Sequence, residues 1–241
     1  AVEALAFGST GGLLVTASAR TVTLWDATGP GTPAELSMLD GTDAAVLTLA
    51  LDPTSSLLAT AGDDLRVRLW DIKDPRQPRL VTTLPGEVAG ALAFHPRAPV
   101  LASGGKDGTI RLWDIGTADR PHELASLRPN SERVETVAFH PHGTTLATAG
   151  ADRVVRLWDI ADPRRPLESA VLTGHTDTIY TSAFTPDGTG LAGHSARGRH
   201  ARADPCRGDV GQRLGQHRPR GRARDRRRGA GGDRSRSRLH H

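Results

Sequence analysis

"VVRLWDI", from Val154 to Ile160, is one of four nearly identical heptapeptides in the chain, and their recurrence decides the fold. The others are "TVTLWDA" (Thr21–Ala27), "RVRLWDI" (Arg66–Ile72) and "TIRLWDI" (Thr109–Ile115), which place Trp25, Trp70, Trp113 and Trp158 at intervals of 45, 43 and 45 residues. A fixed period of this size marks a chain built from one repeated supersecondary unit. Inside the heptapeptide Val67 and Leu69 alternate with Arg66 and Arg68, the period-two signature of a strand.

The same order of segments surrounds each Trp. Upstream come an apolar run, ending in "LAF" or "VAF" in three of the units, a turn, a second run ("LLVTAS", "LLATAG", "VLASGG" or "TLATAG") and a tight turn; downstream come a Pro-rich link and a fourth run ("ELSML", "LVTTL", "ELASL" or "ESAVL"). Segments this short are strands, and clusters such as "GGKDGT" and "TPDGT" supply the positive φ and the fixed φ of sharp reversals. The expectation is an all-β protein of four-stranded antiparallel blades around an axis, each burying its faces on its neighbours.

The segments Leu24–Asp26, Leu69–Asp71, Leu112–Asp114 and Leu157–Asp159, with "GHTDTIYTSAFTPDG" (Gly174–Gly188) opening a fifth unit, resemble the WD-repeat β-propeller family over about residues 1–192. The links "DIKDPRQP" and "DIADPRRP", with "LTGHTDTIY", resemble bacterial WD-repeat proteins of actinobacterial type, in which the propeller is often part of a larger signalling ATPase or kinase. The resemblance implies a structural network in each blade. Trp25, Trp70, Trp113 and Trp158 are its aromatic members; Thr60, Ser103 and Thr148 take the hydroxyl position and Asp64, Asp107 and Asp152 the turn position. The histidine of the family's Gly-His pair survives only as His175, with Gly41-Thr42, Gly86-Glu87 and Pro129-Asn130 standing at its other places. The first unit, one residue shorter, lacks the turn Asp. Packing should therefore dominate: a Trp burying about 150–250 Å² contributes up to about 4–6 kcal/mol, against about 1 kcal/mol for a neutral hydrogen bond.

Charge divides the chain. The sequence pI is 10.1, yet residues 1–192 hold 16 Lys and Arg against 23 Asp and Glu, while residues 193–241 hold 15 Arg against 4 Asp. An acidic body is followed by an arginine-rich segment, so the global pI describes neither. A single cysteine, Cys206, excludes an internal disulfide framework and a cysteine-based zinc cluster, and it fits a reducing compartment, with the cytoplasm as the expected location. No run is long and apolar enough to be a membrane helix, and no secretory signal opens the chain, although its first residue is Ala1 and its start is expected to be cut.

The repeat breaks off inside "TPDGTGLAGHSARGRHARADP" (Thr185–Pro205), where agreement with the fourth unit ends at Ala192. Three readings stand: a natural domain end, a diverged blade, or a shift of reading frame. With suitable codons, "HSARGRH" read one base later gives Thr-Ala-Arg-Ala-Asp-Gly-Thr, and "ARDRRR" gives Leu-Ala-Thr-Ala-Gly, although the echoes lie 31 residues apart, less than one repeat. Under any of them residues 193–241 lack strand or helix periodicity and are expected to be disordered.

No catalytic constellation is found, and no cofactor or metal site is expected. Ser103-Gly-Gly-Lys106 has the Ser-x-x-Lys spacing but occupies the turn that every unit repeats. "GGKDGT" lacks the spacing of a phosphate loop. His95 and His140, in equivalent "AFHP" positions with His142 nearby, read as solvated turn residues rather than converging ligands. The expected function is a non-catalytic protein-interaction scaffold, as the family resemblance implies. Its partner contacts should lie on rim loops: the tight turns at Asp63, Lys106 and Ala151 and the inter-blade loops at Asp43, Arg133 and Asp177. Self-association through uncovered terminal blades is a further expectation, because a family member commonly has seven blades. Two alternatives stay open: nucleic-acid binding through an authentic arginine tail, of low specificity without aromatic residues to stack on bases, and a disfavoured propeller-fold hydrolase.

Overall fold

The period-two runs form strands wherever the repeat places them. The computed structural model describes residues 2–9, 11–39, 44–54, 56–84, 90–129, 132–195 and 212–213, and every regular element among them is a β-strand. The first blade comprises β1 (Ala4–Phe7), β2 (Leu13–Ser18), β3 (Thr21–Asp26) and β4 (Ala34–Met38); the second β5 (Val46–Leu51), β6 (Leu57–Gly62), β7 (Val67–Asp71) and β8 (Arg79–Leu84). The third holds β9 (Ala91–Phe94), β10 (Val100–Gly104), β11 (Ile110–Asp114) and β12 (His122–Leu127), and the fourth β13 (Val134–Phe139), β14 (Thr145–Gly150), β15 (Val155–Asp159) and β16 (Leu167–Leu172). A fifth sheet pairs β17 (Ile179–Phe184), β18 (Gly190–Ser195) and the two-residue β19 (Gln212–Arg213). Its second strand thus continues past Ala192 to Ser195. The expected disorder of residues 193–241 otherwise falls almost wholly outside the described residues.

Each of the four full blades is an antiparallel meander in sequence order, and the register repeats from blade to blade. Trp25, Trp70, Trp113 and Trp158 stand opposite Leu14, Leu58, Leu101 and Leu146. A bulge between the Leu and the Trp shifts each third strand against the fourth at the same place. The first strands β1, β5, β9, β13 and β17 contact one another in succession, which sets them on the inside of the ring of blades.

Alternation gives every blade two unlike faces. One bears large side chains, in the third blade Leu92, Phe94, Leu101 and Trp113; the other bears smaller ones, in the second blade Ala59, Ala61, Val67 and Leu69, and these two sets pack together as one core cluster. The same large-on-small junction joins the first blade to the second, the third to the fourth, and the fourth to the fifth.

Candidate interaction rim and the network that holds it

The turn between the second and third strands of each blade is fixed from below by the Trp of the third strand. The Trp indole N–H donates to a hydroxyl on the second strand: Trp70 to Thr60, Trp113 to Ser103 and Trp158 to Thr148, each at 2.9 Å. These are the hydroxyl residues read from the sequence. The reading missed Thr16, which accepts from Trp25 at 2.8 Å although it lies nine residues before its Trp instead of ten. The shorter first hairpin explains the difference. Ser18 pairs directly with Thr21 across a two-residue turn, so register is kept with one residue fewer.

The turn aspartates are present where expected, and arginine is the partner that holds them. Arg68 meets Asp64 at 2.6 Å and Arg156 meets Asp152 at 2.5 Å, while Arg111 approaches Asp107 at 3.9 Å and Arg128 meets it at 3.1 Å. Arg68, Arg111 and Arg156 each stand two residues before their Trp, and each lies opposite the network hydroxyl in the sheet. In the first blade Thr23 takes that place, so among the four full blades the Arg is missing from the one without the turn Asp. This joint loss was the signal in the sequence. Burial by itself would raise the Asp64 carboxyl, but hydrogen bonds from Arg68 and the Arg66 amide outweigh it and hold the group below its ordinary value. Asp107 behaves alike: desolvation raises it, and hydrogen bonds from Thr109 and Arg128 bring it below the ordinary carboxylate range. His175 is placed at the fifth blade, with Nδ1 3.3 Å from the Ser195 hydroxyl; Gly193 occupies the strand position that carries Thr148 in the fourth blade.

These turns and the connections entering the next blade share one rim. The Val46 amide donates to the Ala19 carbonyl and the Val134 amide to the Gly105 carbonyl, which ties each of these turns to the first strand of the following blade. Among the candidate contact residues, Asp63 and Lys106 meet each other across the second and third blades at 3.4 Å, and Arg133 pairs with Glu135. The Ala151 amide donates to the Arg133 carbonyl, which brings those two positions together, and Asp177 caps the adjacent turn through the Thr178 amide at 2.7 Å. Arg153, beside Ala151, reaches the Thr176 carbonyl at 3.5 Å. Asp43, Gly41-Thr42, Gly86-Glu87 and Asn130 lie outside the described residues.

The opposite rim corrects the reading of His95 and His140 as solvated turn residues. His95 Nδ1 accepts the Arg97 and Ala98 amides at 3.0 and 2.8 Å, so its proton sits on Nε2, which donates to the Gly143 carbonyl of the next blade at 2.8 Å. His140 repeats this with the His142 amide and the Gly188 carbonyl, each at 3.0 Å. Each ring also meets a phenylalanine of the following blade edge-on, Phe139 and Phe184 respectively, at 5.1 Å. They are links between blades. Gly143 must be glycine twice over, with φ at +85° and a Cβ that would lie 2.5 Å from the His95 ring.

Ser103 is fully buried and committed to Trp113, and Lys106 to Asp63, so the Ser-x-x-Lys spacing assembles no nucleophile. Among the described residues no group of three or more His, Cys, Asp or Glu is placed to hold a metal ion, and no helix is long and apolar enough to cross a membrane.

The family model for the WD domain, G-beta repeat, matches residues 34–71, 78–114, 122–159 and 167–199, more than half of the chain. Each match opens on the fourth strand of one blade and the first three complete on the Trp strand of the next, so the sequence repeat straddles the structural one. A search of curated proteins finds no match.

Proposed function

We propose, from the premise that the chain belongs to the WD-repeat family, that it is a non-catalytic scaffold that binds other proteins along the rim of Asp63, Lys106, Arg133, Ala151 and Asp177. WD-repeat proteins are typically non-enzymatic and bind other proteins. The observation that carries the choice of rim is that the candidate contact residues gather on it, on turns held to the following blade by backbone bonds and by the Lys106–Asp63 pair; cross-blade bonds hold the opposite rim as well, through His95 and His140. A surface held this way presents its side chains at little entropic cost on binding.

The reading takes residues 1–192 as the repeat region of a larger bacterial signalling or regulatory protein and residues 193–241 as a segment apart. A photo-crosslinking residue at Lys106, Arg133 or Arg153 should then capture the partner, whereas the same residue at Arg120 or Arg164, in the exposed links of the other rim, should not. Capture from the second set alone would overturn the assignment. Nucleic-acid binding is a second reading, motivated by the 15 arginines after residue 192; retention on an anionic column that survives deletion of residues 193–241 would sink it. A third, motivated by the uncovered faces of the end blades, is association of the chain with itself.

A further inference from the structure

Two junctions between blades are closed by a histidine, and the junction before them carries an aspartate at the same place. The amides of Asp52, His95 and His140 donate across equivalent turns to the carbonyls of Leu57, Val100 and Thr145, which makes the three residues counterparts in the second, third and fourth blades. Each histidine caps its own turn through Nδ1 and reaches the next blade through Nε2. Asp52 keeps the cap, its Oδ1 accepting the Thr54 amide and hydroxyl, each at 2.8 Å. A carboxylate is shorter than an imidazole and has no N–H, so this residue cannot make the histidine's donated bond to the next blade. Asp52 instead lines a cleft of about 380 Å³ between the second and third blades. Leu57, Pro99 and the buried Ile115 give the cleft hydrocarbon, while Asp71 and Lys73 bring it opposite charges. Gly116 and Ala118, on the third-blade side, contribute almost no side chain. Asp52 is only 8% exposed. Asp71 gives Oδ1 to the Lys73 amide at 2.9 Å, and its Oδ2 has no bonded partner among the described residues.

We infer that this cleft receives an arginine side chain of a partner protein, at a site separate from the rim of Asp63 and Lys106 and filled by a different partner. Charge decides the sign of the occupant. Two carboxylates face one ammonium, and an anion would be set against the buried Asp52 with only the exposed Lys73 to offset it. Arginine supplies the rest of the match, because its methylene stem can lie along Leu57, Pro99 and Ile115 while its planar fork donates to Asp71 Oδ2. The walls are already fixed. The Ile72 amide donates to the Ser56 carbonyl at 2.8 Å and the Ile115 amide to the Pro99 carbonyl at 2.9 Å, so each side of the cleft is held by its own blade. A site formed in advance is filled at little cost in ordering. One residue opposes the fit: the Lys73 ammonium carries the charge that the cleft would take from its ligand.

Titration of the full chain with the capped peptide acetyl-Ala-Arg-Ala-amide, followed by amide-resolved NMR, tests this against the same peptide with citrulline or glutamate in place of arginine. The arginine peptide should shift the amides of Thr54, Leu57, Lys73 and Ala118 saturably, the citrulline peptide should bind about tenfold more weakly, and the glutamate peptide should leave them unmoved. Asp71→Asn, which keeps an acceptor for the Lys73 amide, should weaken binding by about tenfold through loss of one charge-assisted contact. Lys73→Gln should tighten it by about threefold, since a competing exposed charge is removed. A merely structural pair would not give these opposite signs. Ala118→Phe should abolish binding by filling the cleft without changing its charge, and it carries the test with Lys73→Gln should Asp71→Asn fail to fold. Binding of the glutamate peptide, equal binding of the arginine and citrulline peptides, or no saturable shift at millimolar concentrations would overturn the proposal. Displacement of the chain's own arginine side-chain signals during the titration would make residues after 195 the occupant and remove the partner.

Discussion

The tetrapeptide Ala-Leu-Ala-Phe occurs twice as a first strand, at Ala4–Phe7 and at Ala91–Phe94, and its two copies live in different surroundings. Leu92 and Phe94 are each 8% exposed under the second blade, whereas Leu5 and Phe7 are among the most exposed large side chains of the described residues. Identical residues in the same strand position therefore reach opposite ends of the burial scale. A strand of a repeat protein carries the capacity for burial, and the neighbouring repeat supplies the burial itself. The sharpest way to break this comparison is to truncate both phenylalanines. Phe94→Ala should cost about 3–5 kcal/mol in urea unfolding, and Phe7→Ala no more than about 0.5 kcal/mol. Equal losses would mean that the face of the first blade is covered in solution.

A second pair extends the contrast to backbone. Gly11 and Gly143 occupy the same place in the turn after the first strand, each donating its amide to the carbonyl three residues earlier. Both have positive φ, +73° and +85°. A Cβ on Gly11 would meet nothing within 4 Å, while one on Gly143 would strike the His95 ring. Gly143→Ala should therefore cost about 2–3 kcal/mol by thermal unfolding, from left-handed strain of about 1–2 kcal/mol plus a displaced hydrogen bond of about 1 kcal/mol. Gly11→Ala should show the strain alone, and identical losses would remove His95 from the account.

Side-chain hydrogen bonds give a smaller third contrast. Ser103→Ala leaves the buried Trp113 N–H without its acceptor and should cost about 1–3 kcal/mol, whereas Thr16→Ala, under the half-buried Trp25, should cost less than about 1 kcal/mol because water reaches the indole. Chemical denaturation of the two variants decides it.

What was legible in the sequence shared a property: its partners lie within one repeat. Strands, turns and the pairs of Trp70 with Thr60, Trp113 with Ser103 and Trp158 with Thr148 follow from short spacings, which a recurring motif makes visible. Thr16 escaped because a two-residue turn changes the count while preserving the register. The arginine partners of Asp64, Asp107 and Asp152 were on the page, but only the absence of Asp and Arg together from the first unit distinguishes them from ordinary exposed residues of a strand. His95 and His140 were misread because their acceptors, Gly143 and Gly188, lie 48 residues away in the turn of the next blade. The pairing of Asp63 with Lys106 was hidden for the same reason. Both were named as separate contact points, and the fold spends part of their charge on each other.

The smallest contrast is set by acid. Hydrogen bonds hold the folded Asp107 carboxyl below its ordinary value of 3.8, so the unfolded chain binds its proton first as pH falls. The stabilisation is accordingly present above about 3.8 and disappears as pH drops through the lowered folded value. The first blade has Ala19 and Arg20 in its turn and no carboxylate to titrate. Amide exchange, corrected for its intrinsic pH dependence, should therefore show protection of residues 105–111 falling only as pH drops below about 3.8, with residues 17–23 unchanged. Asp107→Asn should flatten the first profile at a lower level of protection, because the amide still caps Thr109 but no longer pairs with Arg128 as a charge. A profile that keeps its slope in the variant would place the acid sensitivity elsewhere, with Asp64 and its Arg68 pair in the second blade as the next group to replace.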